Sequence, residues 1–333
     1  MARIAINGFG RIGRLAFRLV NEDESFEIVA VNDLADAKTL AHLLKYDTVH
    51  SSYRPDSVTW EEGAIIVGGK RIPVFAERDP LALPWKELEV DAVLECSGRF
   101  TDLAGCEKHI QAGARKAIVS APGKGGMKTV VYNVNHGILD GTETVISGAS
   151  CTTNCLAPMV KALDDAFGVE YGFMTTVHAY TNDQMVLDGN HKDLRRARAA
   201  AVNIIPTTTG AASAVGDVLP HLKGKLDGYA LRVPVMSGSL VDFTCSLSKE
   251  ASIESLREAF LSRQSETLGA TDDPIVSSDI IGMGYASLID LPLLEVMTAE
   301  GRQLVKVVSW YDNEMSYTHQ LVRLMRHFAQ LGK

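Results

Sequence analysis

Short β-branched runs alternate with helix-period patterns along the first third of the chain. Arg3–Asn7 reads as a strand, Arg11 to about Asn21 as a helix and Glu27–Asn32 as a second strand, one βαβ unit. Further strands are expected at Ala64–Val67, Ala92–Glu95, Lys116–Ser120, Val130–Tyr132 and Thr144–Ser147, with a helix near Asp102–Ala112. A helix is expected from Thr152 to about Phe167, and beyond it the strands lengthen: Gly172–Ala179, Gly228–Val233, Leu240–Leu247 and Leu304–Trp310. Ser252 caps a helix with Ile253, Leu256, Phe260 and Leu261 on one face, and Leu321, Leu324, Met325, Phe328 and Leu331 line a C-terminal one. Thr181–Ala201 is polar with little periodicity and reads as a long functional loop. The expected fold is an α/β Rossmann-type dinucleotide-binding domain plus an α+β catalytic domain with a mixed, largely antiparallel sheet.

Composition narrows this little. The 333 residues are 46% hydrophobic and 22% charged, ordinary for a globular enzyme and enough for two cores. A net charge of -8 argues against a nucleic-acid partner, although His191–Arg198 is locally basic. No segment resembles a membrane span or a signal peptide, and Cys96, Cys106, Cys151, Cys155 and Cys245 have no zinc or redox spacing. Reduced thiols, a cytoplasmic location and no metal are therefore expected.

Asn7-Gly8-Phe9-Gly10-Arg11-Ile12-Gly13 places Gly-x-Gly-x-x-Gly between a strand and a helix. Gly8 permits a tight turn, Gly10 lets backbone approach a pyrophosphate, Gly13 lets helix pack on strand, and the Arg11 and Ile12 amides face the phosphates. Asp33 lies at the end of the second strand, twenty residues past Gly13, where a carboxylate binds ribose hydroxyls and repels a 2′-phosphate. NAD is the expected cofactor.

Ser150-Cys151-Thr152-Thr153-Asn154-Cys155 sets a thiol at a helix N-terminus, where unpaired amides and the helix dipole stabilise thiolate. Cys151 is the candidate nucleophile. His178, at the end of a strand entering the polar loop, is the candidate base, expected to lower the thiol pKa and to shuttle a proton. Beside a nicotinamide, thiolate addition to an aldehyde and loss of hydride give a thioester. Arg232, Thr181, Thr209 and Gly210 carry donors of the kind that hold phosphate, and Leu194–Arg198 could steer anions.

Over nearly its whole length the chain resembles phosphorylating, tetrameric glyceraldehyde-3-phosphate dehydrogenases. The resemblance rests on Ile6–Arg14, Lys38–His50, Glu95–Asp102, Ser150–Pro158, His178–Gln184, His191–Ala200, Asn203–Ala212, Arg232–Pro234 and Trp310–Glu314. It implies an NAD-binding domain over 1–149, a catalytic domain over 150–315, and a C-terminal helix, 316–333, that returns to the first. The loop from about 180 to 202 would line a neighbouring subunit's cofactor site in a homotetramer. Nucleophile and base fall on Cys151 and His178. Thr181 and Arg232 match the pocket for the substrate's phosphate, and Ser150, Thr152, Thr209 and Gly210 the pocket for attacking inorganic phosphate. Arg11, Ile12, Asp33, Arg78, Ser120 and Asn313 match cofactor contacts, with Asn313 at the carboxamide and Tyr317 near the nicotinamide ring. The implied reaction converts glyceraldehyde 3-phosphate to 1,3-bisphosphoglycerate.

Three departures stand out. Gly189-Asn190 replaces a usual Leu-Pro and weakens exclusion of a 2′-phosphate, leaving room for some NADP use. Met315 replaces a frequent tryptophan, and Val235-Met236-Ser237-Gly238 a usual Thr-Pro-Asn-Val. The alternatives are an erythrose-4-phosphate dehydrogenase, in which water cleaves the thioester, and a redox-sensing or nucleotide-binding protein without turnover.

Overall fold

The computed structural model describes residues 1–332, which form two compact units. Met1–Tyr132, His136–Ala149 and the chain from Thr318 onward make the first; Asn133–Asn135 and Ser150–Tyr317 make the second.

The first unit contains β1 (Ala2–Asn7), α1 (Arg11–Asn21), β2 (Phe26–Asn32), α2 (Ala37–Lys45), β3 (Val58–Glu61), β4 (Ala64–Val67), β5 (Lys70–Phe75), β6 (Ala92–Glu95), α3 (Leu103–Gln111), β7 (Lys116–Val119), β8 (Lys128–Thr129) and β9 (Val145–Ser147). They build one nine-stranded sheet ordered β3-β4-β5-β2-β1-β6-β7-β9-β8. It is parallel from β5 to β8, and β3-β4-β5 form an antiparallel edge. The four residues of β6 and of β7 are all buried, so those strands show no alternation of buried and exposed positions. The order reverses between β1 and β6, and there the strands end in polar Asn7 and Glu95. That reversal creates the crevice in which open α/β sheets bind ligands.

One expected strand is corrected. Val130–Tyr132 is not a strand; the pairing lies at β8, and Val130 N–H donates the last sheet bond, to Ser147 O at 2.8 Å. Val130 and Val131 are apolar because their side chains are buried.

The second unit contains α4 (Cys151–Phe167), β10 (Val169–Ala179), β11 (Ile205–Thr208), α5 (Ala211–Val218), β12 (Leu226–Val233), β13 (Ser239–Leu247), α6 (Ile253–Leu261), β14 (Leu268–Thr271), β15 (Ser287–Asp290), β16 (Glu295–Ala299) and β17 (Arg302–Tyr311). Its sheet runs β11-β12-β10-β13-β17-β15-β14, with β16 on β17. Only β10–β12 and β14–β15 are parallel, so the expected mixed, largely antiparallel sheet is present. Residues 181–199 hold no helix or strand.

The last helix, α7 (Met315–Gln330), buries Leu321, Leu324, Met325 and Phe328 as its periodicity requires. Its C-terminal carbonyls are capped by Lys116, whose Nζ donates at 2.7 Å to both Phe328 O and Leu331 O. The ammonium also lies 4.3 Å from the Phe328 ring centroid. Lys116→Met is expected to lower unfolding free energy by about 2 kcal/mol, through lost charged hydrogen bonds and stranded carbonyls. Chemical denaturation checks this; a loss under about 0.5 kcal/mol would contradict the cap.

Candidate active site

In the first unit, the turn from β1 into α1 needs its glycines for three different reasons. Gly8 adopts φ +91, and a Cβ there would meet Ser97 N at 2.4 Å. A Cβ on Gly13 would meet Gly8 O at 2.1 Å, so the turn is wedged against the helix it opens. A Cβ on Gly10 would meet nothing within 4 Å, which leaves open space beside an α1 N-terminus that no side chain caps. That cradle fits a dinucleotide pyrophosphate. Next to it lies a cavity of about 330 Å³ lined by Gly8, Gly10, Asp33 and Arg78, with Leu34 and Arg99 among the other walls. Asp33 does more than expected: Oδ2 accepts from Phe9 N–H at 2.7 Å and Oδ1 from Ala35 N–H at 3.0 Å, so it braces the glycine turn. Arg11 pairs its side chain with Asp47 at 2.6 Å. Ser120 is not among the lining residues of this cavity.

Sequence reading missed the polar relay beneath the cradle. Trp85 Nε1–H donates to His109 Nδ1 at 3.0 Å, so the proton of a neutral His109 sits on Nε2 and faces Glu95 Oε2 at 3.0 Å. Asn7 Nδ2 donates to the same oxygen at 2.5 Å, and Ser97 N–H and Oγ–H donate to Oε1 at 2.8 and 2.5 Å. Glu95 is 1% exposed, and these four donors are what make a carboxyl tolerable at that depth. Asn32 Nδ2 extends the relay to Asn7 Oδ1 at 2.7 Å. Its only sequence signal is a polar residue closing each of the apolar strands β1, β2 and β6.

In the second unit, Ser150 is the N-cap of α4, its Oγ accepting from Thr153 N–H at 3.1 Å. Cys151 is therefore the first helical residue, and its Sγ lies 3.4 Å from His178 Nε2. Parallel pairing of β10 and β12 sets His178 opposite Arg232, whose Nη1 lies 2.5 Å from His178 Nδ1 and donates to Ala179 O at 3.0 Å. Nδ1 also lies 2.7 Å from Ala179 O. Burial pushes the Cys151 thiol up; Arg232, Thr152 and the first-turn amides pull it back only in part. Burial, then the Arg232 charge, push His178 down to about 3. Desolvation thus opposes the helix end at this thiol, and Arg232 beside the imidazole opposes its protonation.

The proton order beneath this pair follows from its last acceptor. Thr176 Oγ1 donates to Leu240 O at 3.1 Å, so it accepts from Tyr311 OH at 2.8 Å, and Tyr311 in turn accepts from Thr152 Oγ1 at 2.9 Å. The Thr152 hydroxyl proton is spent inward, so only its backbone N–H is left to donate to an anion. Thr209 Oγ1 accepts from Ala211 N–H at 3.2 Å, and Gly210 starts α5 with no side-chain cap. Thr181 N–H donates to Gln184 Oε1 at 3.3 Å. Asn313 Oδ1 accepts from Ser239 Oγ at 3.0 Å, and Ser239 Oγ from Ala179 N–H at 3.1 Å, which directs the Asn313 NH₂ away as a donor. Tyr317 is buried.

Two residues of the Val235–Gly238 departure gain reasons. Ser237 Oγ donates to Asp312 Oδ1 at 2.6 Å, and a Cβ on Gly238, at φ +89, would meet Ser277 O at 2.2 Å. The basic run is less available for steering than its charge suggests: Arg196 pairs with Asp183 and Asp193, and Arg198 with Asp188 at 2.9 Å. Arg196 also donates to Thr207 Oγ1 at 2.8 Å and Thr208 O at 3.2 Å, tying the loop to β11. Cys155 is buried among Ser287 and Ser309, and burial pushes its thiol up to about 12. No group of three or more His, Cys, Asp or Glu that could hold a metal occurs among the described residues.

Residues 2–103 match the NAD-binding domain model of glyceraldehyde 3-phosphate dehydrogenase, and residues 150–313 match its C-terminal domain model. Glyceraldehyde-3-phosphate dehydrogenases of Clostridium pasteurianum and Clostridium acetobutylicum are each 56% identical over 100% of both chains. The chain belongs to the glyceraldehyde 3-phosphate dehydrogenase family. A third member of that family, from Streptococcus pyogenes, is 55% identical, again over the full length of both chains. Family membership gives the domain that holds the glycine cradle its ligand, NAD, and the chain its reaction, oxidative phosphorylation of glyceraldehyde 3-phosphate.

Gly13→Ala should weaken NAD binding by roughly tenfold or more, about 1.4 kcal/mol, because its Cβ displaces the Gly8 carbonyl. Calorimetric titration reads this out, and unchanged affinity would refute the wedge.

Proposed function

We propose that the chain catalyses reversible oxidative phosphorylation of glyceraldehyde 3-phosphate to 1,3-bisphosphoglycerate with NAD, through covalent chemistry on Cys151. The observation that carries this reading is Sγ at 3.4 Å from His178 Nε2 on the first residue of α4, in a chain of this family. His178 Nε2 takes the Sγ proton as Sγ adds to the aldehyde carbon, and returns it to the carbonyl oxygen, which becomes the hemithioacetal hydroxyl. His178 Nε2 takes that hydroxyl proton as hydride leaves the carbon. NAD, when bound, supplies the hydride acceptor. A phosphate oxygen then attacks the thioester carbon, Sγ leaves, and the acyl phosphate departs.

Thr181 and Arg232 hold the substrate's phosphate in this reading. Ser150, Thr209, Gly210 and the Thr152 N–H receive the attacking phosphate; the amino ends of α4 and α5 favour an anion there. Gly8, Gly10, Gly13, Arg11, Ile12, Asp33, Arg78 and Ser120 serve the cofactor. Asn313 addresses the nicotinamide carboxamide with the NH₂ that Ser239 leaves outward, and Tyr317 lies near the ring. Asp33 favours NAD, and Gly189-Asn190 permits some NADP. The domains run 1–149 and 150–315, with 316–333 returning to the first. Tyr171, Phe173 and Tyr229, exposed on one face of β10 and β12, support a homotetramer. Five free cysteines fit a cytoplasmic enzyme, and no described helix is long and apolar enough to cross a membrane.

Relatives named for glyceraldehyde 3-phosphate favour this substrate over erythrose 4-phosphate. With glyceraldehyde 3-phosphate, sustained NADH formation should require inorganic phosphate, and Cys151→Ser should cut kcat by at least about 10³-fold while NAD still binds. Turnover with erythrose 4-phosphate, together with no phosphate requirement, would overturn the assignment.

The pH profile follows from His178 at about 3 in the unliganded protein. An imidazole already neutral there has no proton to lose between about pH 5 and 8, where a free histidine titrates. The kcat/KM of acylation, read from the NADH burst, should therefore lack an imidazole limb in that window and rise toward alkaline pH with the thiol. A clear inflection near 6.5 would show that His178 titrates freely.

A further inference from the structure

Strand β13 lies between β10, which ends in His178 and Ala179, and β17, which leads into Asn313. Its first residue, Ser239, pairs with Tyr311 of β17, and its hydroxyl reaches both flanking segments. Ser239 Oγ lies 3.1 Å from Ala179 N and 3.0 Å from the end of the Asn313 side-chain amide. A backbone N–H only donates, so Oγ accepts from Ala179. Ser239 is 1% exposed and its hydroxyl has no third partner among the described residues, so its own proton goes to the Asn313 amide oxygen. Ser237 Oγ is 3.3 Å from that oxygen, but it spends its one proton on the Asp312 carboxylate at 2.6 Å, the shorter and charge-assisted bond. The Asn313 NH₂ has no partner among the described residues.

The backbone around Asn313 is held separately. Asp312 is fully buried and accepts at Oδ1 from Glu314 N–H at 2.9 Å and Met315 N–H at 3.1 Å, and at Oδ2 from Gly282 N–H at 2.8 Å. These bonds fix the chain on both sides of Asn313 and leave its side-chain amide to be oriented. The two ends of a primary amide have nearly the same shape, so packing does not tell them apart and a hydrogen bond must. We infer that Ser239 is a positioning residue that holds Asn313 as a donor, so that the site selects its cofactor by the carbonyl oxygen on the nicotinamide ring and not by the carboxamide NH₂. Because the same hydroxyl accepts from Ala179, this donor is tied to the end of the strand that carries His178. The inference rests on the reading of Asn313 as the carboxamide partner.

The test is the calorimetric affinity of the full-length protein for two analogues of NAD. The 3-acetylpyridine analogue keeps the carbonyl oxygen and replaces NH₂ by methyl. The thionicotinamide analogue keeps NH₂ and replaces the oxygen by sulfur, a weaker acceptor. Wild type should bind the acetyl analogue more tightly than the thio analogue. Ser239→Ala frees the Asn313 amide to turn its oxygen outward, where it gains an N–H partner on the thio analogue and meets a methyl on the acetyl one. The acetyl-to-thio affinity ratio should therefore fall about fivefold or more, what one hydrogen bond contributes. Ser239→Thr, which keeps the hydroxyl, and Ser237→Ala should both hold the wild-type ratio. A merely structural defect weakens both analogues alike, so an unchanged ratio in Ser239→Ala overturns the inference. So does a wild-type preference for the thio analogue, or a ratio that falls as far in Ser237→Ala. If Asn313→Ala leaves both affinities at wild-type values, the inference falls together with the carboxamide reading, and the failure lies in that reading. Where Ser239→Ala fails to fold, the wild-type order and the ratio in Ser239→Thr decide.

Discussion

The reactive centre depends on two strands of the second unit running in the same direction. Because β10 and β12 pair in parallel, His178 and Arg232 occupy one register row, near the carboxyl ends of both strands. A slip of a single residue would send one of the two to the opposite face of the sheet. The register is secured by eight consecutive pairs from Gly172–Leu226 to Ala179–Val233, and by β13 on the other flank of β10. Helix α4 then needs only to start at the right place, which its Ser150 cap ensures.

Burial around that row works against ionisation. A thiol taken out of water resists becoming thiolate, and an imidazole beside a buried guanidinium resists becoming a cation. Tyr311 adds a neutral phenol below them, held so by burial and the nearby thiols. Burial thus favours the neutral forms of Cys151, His178 and Tyr311 beside the Arg232 charge. In the first unit the same problem has the opposite solution: Glu95 is surrounded by four donors and kept as a fixed acceptor, a rigid floor for the glycine turn.

Much of this was legible in the chain itself. The change from short apolar runs to longer strands marked two architectures, and the glycine spacing followed by Asp33 marked a dinucleotide cradle. Cys151 stood out because a helix pattern begins immediately after it, at Thr152. What escaped was long-range or marginal. Arg232 lies 54 residues from His178, and nothing local in either segment announces their contact. Trp85, His109 and Glu95 read as core, helix and strand-end residues, and only the sheet order brings them together. The missed strands β3, β5, β11, β14, β15 and β16 are four to six residues long, too short for a period to declare itself, and the helices α2 and α5, of 9 and 8 residues, went unread as well. The burial that opposes ionisation of the Cys151 thiol escaped for a different reason. A helix end is visible in sequence, whereas the depth at which it sits is not.

Asp33 carries a consequence for how cofactor preference in such a chain can drift. Its carboxylate is at once the surface that a ribose would meet and the acceptor that holds Phe9 and Ala35 in place. Exchanging it for a small neutral residue, to admit a 2′-phosphate, would also cut a strut of the turn that cradles the pyrophosphate. Selectivity and loop order are therefore inherited together. A lineage that relaxes one must also acquire another acceptor for the Phe9 amide.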